Sequence, residues 1–144
     1  MRRIALNPGT IPLTRRLHLA KLAARVSLGL VWLYEGLVPK ILYLSAHPAQ
    51  LELVRRSRWF WPTPELTLVA LGVAQALAGI VLLVGWAERR VVAVATAAMF
   101  VLIFLVATGE PSMLTDPFGA LAKDLCLIAC AFIVWVLAPE TSKP

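Results

Sequence analysis

Four long apolar stretches, joined by short polar connections, dominate this chain of 144 residues. Each stretch is long enough to cross, as an α-helix, a hydrocarbon core of roughly 30 Å. The stretches lie at residues 20–44, 66–86, 91–107 and 118–137. Because 60% of the residues are hydrophobic and only 15% are charged, no separate soluble domain fits beside them. The sequence therefore predicts an all-α fold, a membrane four-helix bundle at residues 20–138, with an N-terminal arm at 1–19 and a tail at 139–144.

The distribution of basic residues predicts the orientation of this bundle. Lys and Arg are concentrated before the first stretch and between the second and third, whereas residues 109–116 contain neither. Three arginines in the first loop oppose this bias but do not outweigh it. By the positive-inside rule both termini are expected on the cytoplasmic side of a bacterial inner membrane. The formal net charge of +6 then reflects contact with anionic lipid headgroups of the bilayer, and nucleic acid is not an expected partner.

The first stretch contains two opposite charges and a proline, in the segment Trp32-Leu-Tyr-Glu-Gly-Leu-Val-Pro-Lys40. This charge pattern and the polar arm before it argue against a cleavable signal peptide. A carboxylate facing hydrocarbon costs several kcal/mol, so Glu35 is expected to face protein, water or a ligand. Pro39 cannot donate to the carbonyl of Glu35, which predicts a helix kink eased by Gly36. In a straight helix Lys40 would point about 140° away from Glu35, so we expect both to find partners on other helices.

Polar residues in the other helices fall at a similar depth. Gln75 lies beside a stripe of small residues in the second helix, and Lys123 and Asp124 lie near the start of the fourth. At about 1.5 Å per residue from the outer helix ends, all of them fall in the outer half of the bilayer with Glu35 and Lys40. If the first, second and fourth helices are mutual neighbours, they form a polar pocket with the pairs Glu35–Lys123 and Lys40–Asp124.

This pocket has two interpretations that the sequence leaves open. Buried ion pairs can serve only to fix which helices pack together. Alternatively, the pocket binds a ligand that enters from the membrane, and Glu35 handles protons for it.

The first loop ends in three aromatic residues, Trp59, Phe60 and Trp61. They are typical of an aromatic belt that anchors a protein at the membrane interface. They are also suited to forming the mouth of the pocket or an interface with another chain. Residues 49–58, just before them, are predicted to form a short helix that lies on the membrane surface.

No established catalytic or metal-binding motif is present in the sequence. His18 and His47 are predicted on opposite sides of the membrane, so they cannot share a metal ion. Cys126 and Cys130 are expected to be small buried hydrophobic residues rather than a redox pair. No nucleotide-binding glycine loop, haem-attachment motif or nucleophile triad is found, so the sequence does not decide whether the protein is an enzyme.

The sequence resembles the DoxX-like family of small four-helix membrane proteins. The resemblance rests on residues 32–40, on the stretch 72–85 with Gln75, and on Asp116-Pro-Phe-Gly-Ala-Leu-Ala-Lys-Asp124. It extends over residues 25–138 and implies a four-helix bundle. For the members that lent the name, it also implies a subunit role in a quinone-linked sulfur-oxidising oxidoreductase. Gln75 stands where an acidic residue is common in that family, and Asp124 stands where Asn is common.

These observations favour an accessory subunit of a membrane redox system that contacts quinone or a similar lipid-soluble molecule. No covalently bound cofactor is expected. The alternative is a non-catalytic structural or assembly subunit of a larger membrane complex. Residues 1–14 and the aromatic loop would then dock other membrane subunits or a second copy of the chain. Small-molecule transport is disfavoured because four helices form a narrow bundle.

Overall fold

The computed structural model describes residues 12–43, 48–60, 62–109 and 120–138. Within these ranges the chain is helical and contains no β-strand. Its elements are α1 (Leu13–Leu37), a π-helical turn (Val38–Leu42), α2 (Pro48–Ser57), α3 (Pro64–Val84), α4 (Glu88–Gly109) and α5 (Ala120–Leu137). Trp61, the predicted start of the fourth helix at residue 118, most of the N-terminal arm and the tail at 139–144 lie outside the described residues.

Among the described residues, three segments are long and apolar enough to cross a membrane, namely Leu13–Leu42, Pro64–Val84 and Glu88–Gly109. They correspond to the first three predicted spans and confirm an all-α, multi-pass membrane protein. The short helix predicted at residues 49–58 is also present, as α2. The fourth span and the cytoplasmic placement of both termini stay predictions.

The start of α3 shows how local capping sets a helix boundary. The Thr63 side chain accepts a hydrogen bond from the backbone N–H of Leu66 at 3.3 Å, and Pro64 occupies the first turn. Proline suits this position because the N–H that it lacks would have no helical partner there. Glu65 follows in the first turn, where a negative charge complements the helix dipole. The helix therefore begins two residues before the predicted stretch at residue 66.

The turn between α3 and α4 lies earlier in the chain than predicted. We expected residues 87–90 to form it, but α4 begins at Glu88. The reversal occurs at Gly85, with a φ of 83°, and at Ala87, with a φ of 50°. The Ala87 carbonyl then accepts hydrogen bonds from the N–H groups of Arg90 and Val91, both at 3.0 Å. Glu88 consequently belongs to the first turn of a helix and not to a loop.

The helices α1 and α4 each pack against both α3 and α5. The helices α3 and α5 do not pack extensively against each other, which corrects the assumption that the first, second and fourth helices are mutual neighbours. Space is left between them, and α2 covers it by packing against α3 and α4. The apolar core lies beside this space and is centred on four fully buried side chains, Leu28, Leu82, Val92 and Val134.

Glycines allow α1 and α3 to approach closely. A Cβ atom added to Gly36 would lie 2.6 Å from the backbone nitrogen of Ala76, and one added to Gly79 would lie 2.7 Å from the carbonyl oxygen of Gly29. These distances are shorter than any real van der Waals contact, so only glycine fits. The small-residue stripe of α3 therefore packs closely against α1. Gly36 thus serves helix contact, and its role in a kink stays a prediction.

A cavity with four charged side chains

Pro39 disturbs α1 as expected, and the chain responds with a π-helical turn. Regular α-helix ends at Leu37, and the N–H of Tyr43 donates to the carbonyl of Val38, five residues earlier, at 3.0 Å. Pro39 has no backbone N–H to donate to the Glu35 carbonyl. That carbonyl instead accepts a hydrogen bond from the Lys40 Nζ at 3.0 Å. The ammonium group of Lys40 therefore satisfies the acceptor that proline leaves without a backbone donor.

The π-helical turn also brings the two charges of α1 together. The Lys40 Nζ lies 3.7 Å from the Glu35 Oε2, and Lys40 as a whole is only 7% exposed. Our expectation that these side chains point apart was wrong, because a π-helical turn places residues five apart on the same face of the helix.

Helix α5 supplies the second positive charge to Glu35. The Lys123 Nζ lies 2.7 Å from the Glu35 Oε1, so the predicted Glu35–Lys123 pair is present. The predicted Lys40–Asp124 pair is wrong, because Lys40 turns back toward the Glu35 carbonyl. The Asp124 Oδ1 instead lies 3.9 Å from the Nζ of Lys123. The result is a cluster of two carboxylates and two ammonium groups with no net formal charge.

These four residues and Gln75 line one cavity of about 380 Å³, which we call the charged cavity. The charges are contributed by α1, the π-helical turn and α5. Much of the remaining wall is apolar, and it includes Leu68, Leu71, Met99, Leu102, Leu105, Val106 and Leu127. In the structure α4 forms a wall of the cavity.

The cover of the charged cavity is one face of α2. Four of its residues line the cavity, at the spacing of a single helical face: Gln50, Leu53, Val54 and Ser57. The opposite face is exposed, and there Arg55 forms a 3.0 Å ion pair with Glu65 at the start of α3. We predicted this helix on the membrane surface, without an inward face. The spacing of these four residues is the signal that could have revealed it.

The three loop aromatics separate in the structure. Trp59 lines the charged cavity although much of its ring is exposed. Phe60 is exposed and lines a shallow surface depression instead. Trp61 lies outside the described residues. Only Trp59 is therefore placed at the mouth of the cavity.

Two side-chain amides of the cavity wall have buried oxygen atoms without hydrogen-bond partners. Gln75 is 8% exposed, and its Oε1 accepts no hydrogen bond. The Oε1 of Gln50, on the covering helix α2, is also buried and accepts no hydrogen bond. A buried acceptor without a donor is destabilising by about 1–3 kcal/mol, so such atoms call for an explanation.

A second, largely apolar recess of about 360 Å³, here called the side groove, runs between α3 and α4. It shares four lining residues with the charged cavity: Trp32, Leu71, Gln75 and Leu102. From these residues it extends along both helices to Val81 and Arg90. The two spaces are thus adjacent, and Gln75 lies where they meet.

An ion cluster joins α1 and α4 away from the charged cavity. Both Lys21 and Arg25 pair with Glu88. Both contacts are possible because Glu88 lies on the first turn of α4. A cation–π contact between Arg89 and Trp135, at 4.7 Å, joins α4 to α5.

Neither metal ligation nor disulfide chemistry is supported by the described residues. Among them, no group of three His, Cys, Asp or Glu side chains is arranged to hold a metal ion. Cys126 and Cys130 are both free thiols. Cys126 is exposed, so the expectation that it is buried was wrong, whereas Cys130 is half-buried.

Comparison with known proteins gives one match. The family model of the DoxX-like family matches residues 29–132, which include Glu35, Lys40, Gln75, Lys123 and Asp124 of the charged cavity. No curated protein and no solved structure matches the chain.

Proposed function

This chain belongs to the DoxX-like family, and we propose that it is an accessory subunit of a quinone-linked membrane redox system. In this proposal the charged cavity holds quinone or a similar lipid-soluble molecule. The observation that carries the proposal is that Glu35, Lys40, Gln75, Lys123 and Asp124 line one cavity with a largely apolar wall. We further propose that α5 is the fourth membrane helix, that both termini are cytoplasmic, and that the cavity lies in the outer half of a bacterial inner membrane.

The charge balance of the cavity favours a neutral ligand. Its two carboxylates and two ammonium groups compensate one another. An ionised ligand would add a net charge to a poorly hydrated space, and that is costly. A volume of about 380 Å³ falls within the range of small-molecule sites and is enough for a substituted ring. The adjacent side groove offers an apolar path for a hydrocarbon tail.

Glu35 is the residue that we assign to proton exchange. Its carboxylate is held by Lys123 at 2.7 Å and by Lys40 at 3.7 Å, and it still retains 25% exposure of the side chain. A carboxylate in this position can exchange a proton with an oxygen atom of a bound ring. The two ammonium groups keep its orientation defined while that exchange takes place.

The test is purification in a mild detergent, followed by mass spectrometry of the small lipids that accompany the protein. We expect a stoichiometric quinone with the native chain and its loss with Lys123→Met or Glu35→Gln. Arg55→Met is the matched control, because it removes an exposed ion pair outside the charged cavity. Circular dichroism establishes that each variant is folded. Folded variants that retain the quinone would contradict the proposal.

A second candidate function is a structural or assembly subunit of a larger membrane complex. The observation in its favour is the exposed Phe60, which lies outside the wall of the charged cavity beside the exposed ring of Trp59. The same preparation distinguishes the two functions. A defined complex with partner chains, free of quinone and unchanged by Lys123→Met, would support the structural role.

A further inference from the structure

The hydrogen-bonding capacity of the charged cavity points to a particular kind of head group. We propose that the cavity selects ligands with hydroxyl donors, so that a hydroquinone or related phenol binds more tightly than the corresponding quinone. This inference rests on the proposed function and deepens it.

The first line of evidence is the supply of acceptors. Gln75 lines the cavity, is more than nine-tenths buried, and has an amide oxygen without a donor. The Gln50 oxygen on the covering helix is a second such acceptor. The two amides lie on different helices that both line the cavity, so a ligand between α2 and α3 can donate a hydrogen bond to each amide oxygen. A ligand hydroxyl would satisfy an acceptor that the protein leaves without a partner.

The second line of evidence is that the strongest donors of the cavity are already engaged. Lys40 donates to the carbonyl of Glu35 and lies beside its carboxylate. Lys123 donates to the same carboxylate and lies near Asp124. Among the buried side-chain atoms of the described cavity wall, the two without a hydrogen-bond partner, Gln75 Oε1 and Gln50 Oε1, are both acceptors. The ring oxygens of a quinone are acceptors only, whereas each hydroxyl of a hydroquinone can donate.

Three matched probes test this inference, since they differ only at the two ring oxygens. They are tetramethyl-1,4-benzoquinone, its hydroquinone, and the dimethyl ether of that hydroquinone. Binding is measured calorimetrically without oxygen, on the full chain in mild detergent. We expect the hydroquinone to bind about tenfold more tightly than either other probe, or about threefold for each of the two buried acceptors that its hydroxyls satisfy. In Gln75→Leu the preference should fall to about threefold or less, because one of two acceptors is removed.

Each outcome has a distinct meaning. Equal binding of all three probes, or tighter binding of the quinone, would overturn the inference and leave the proposed function standing. An unchanged preference in folded Gln75→Leu would also overturn it. If Gln75→Leu does not fold, Gln50→Leu on the covering helix takes its place and should reduce the same preference. Failure of all three probes to bind the folded native chain would overturn both proposals.

Discussion

Substitution of the two partners in the Glu35–Lys123 pair should destabilise the protein unequally. Lys123→Met removes the ammonium group at 2.7 Å but leaves Lys40 at 3.7 Å from the same carboxylate. Glu35→Gln removes the carboxylate that both ammonium groups share. The Lys40 ammonium group then lacks a negatively charged partner within ion-pair distance. It is destabilising there because Lys40 is only 7% exposed and its one remaining close partner is the backbone carbonyl of residue 35.

The magnitudes follow from burial. Leaving a fully buried charge without its partner costs about 3–5 kcal/mol. Glu35 keeps 25% exposure and a second cation, so we expect Lys123→Met to cost about 1–2 kcal/mol. Lys40 has neither solvent exposure nor a second charged partner, so Glu35→Gln should lower the free energy of unfolding by about 3 kcal/mol. The double substitution should also cost about 3 kcal/mol, less than the sum of the two single effects by about 1–2 kcal/mol.

The assay is reversible unfolding in mixed micelles of a mild detergent and sodium dodecyl sulfate, followed by circular dichroism. Arg55→Met serves as the control, since its ion pair with Glu65 is exposed and water screens it. We expect the stability of this control to be close to that of the native chain. Strictly additive effects of Glu35→Gln and Lys123→Met would refute the reasoning, and so would a loss in Lys123→Met no larger than in the control.

Three further predictions use the same unfolding assay. Gly36→Ala should destabilise by about 1–3 kcal/mol because the new Cβ meets backbone atoms of α3, and an unchanged stability would mean that the helices are not in close contact. Glu88→Gln should cost about 1–3 kcal/mol through its charged bonds to Lys21 and Arg25, and Lys21→Met should cost less because Arg25 remains. Thr63→Ala should cost about 1 kcal/mol through loss of the cap of α3, with Thr63→Ser as the control that retains it.

The composition of the charged cavity could be predicted because hydrocarbon excludes ionisable groups. Glu35, Lys40, Lys123 and Asp124 had to face inward, and helical rise was sufficient to place them at one level. Gln75 followed from its position beside the small-residue stripe of α3. These inferences require only that the helices lie in hydrocarbon and that they are regular α-helices. The helices are regular over most of their length.

The pairing within the cavity could not be predicted, because it depends on a departure from regular helix. Counting at 3.6 residues per turn separates Lys40 from Glu35, whereas the π-helical turn unites them. A short apolar sequence around Pro39 does not reveal whether the helix kinks, ends or widens. Glu88 was misplaced for a related reason, since the turn before α4 uses Ala87 at positive φ, where glycine is the expected residue.

The π-helical turn at Val38–Leu42 also bears on how related chains should be aligned. A turn of this kind holds one residue more than an α-helical turn, so it accommodates an insertion without moving the helix on either side. A relative that lacks one residue between Glu35 and Lys40 and continues as a regular α-helix would place the two charges four residues and about 40° apart, still on one face of the helix. A lysine four residues after the glutamate, in a relative without the π-helical turn, is therefore the equivalent of Lys40, and an alignment of this segment should allow a gap of one residue.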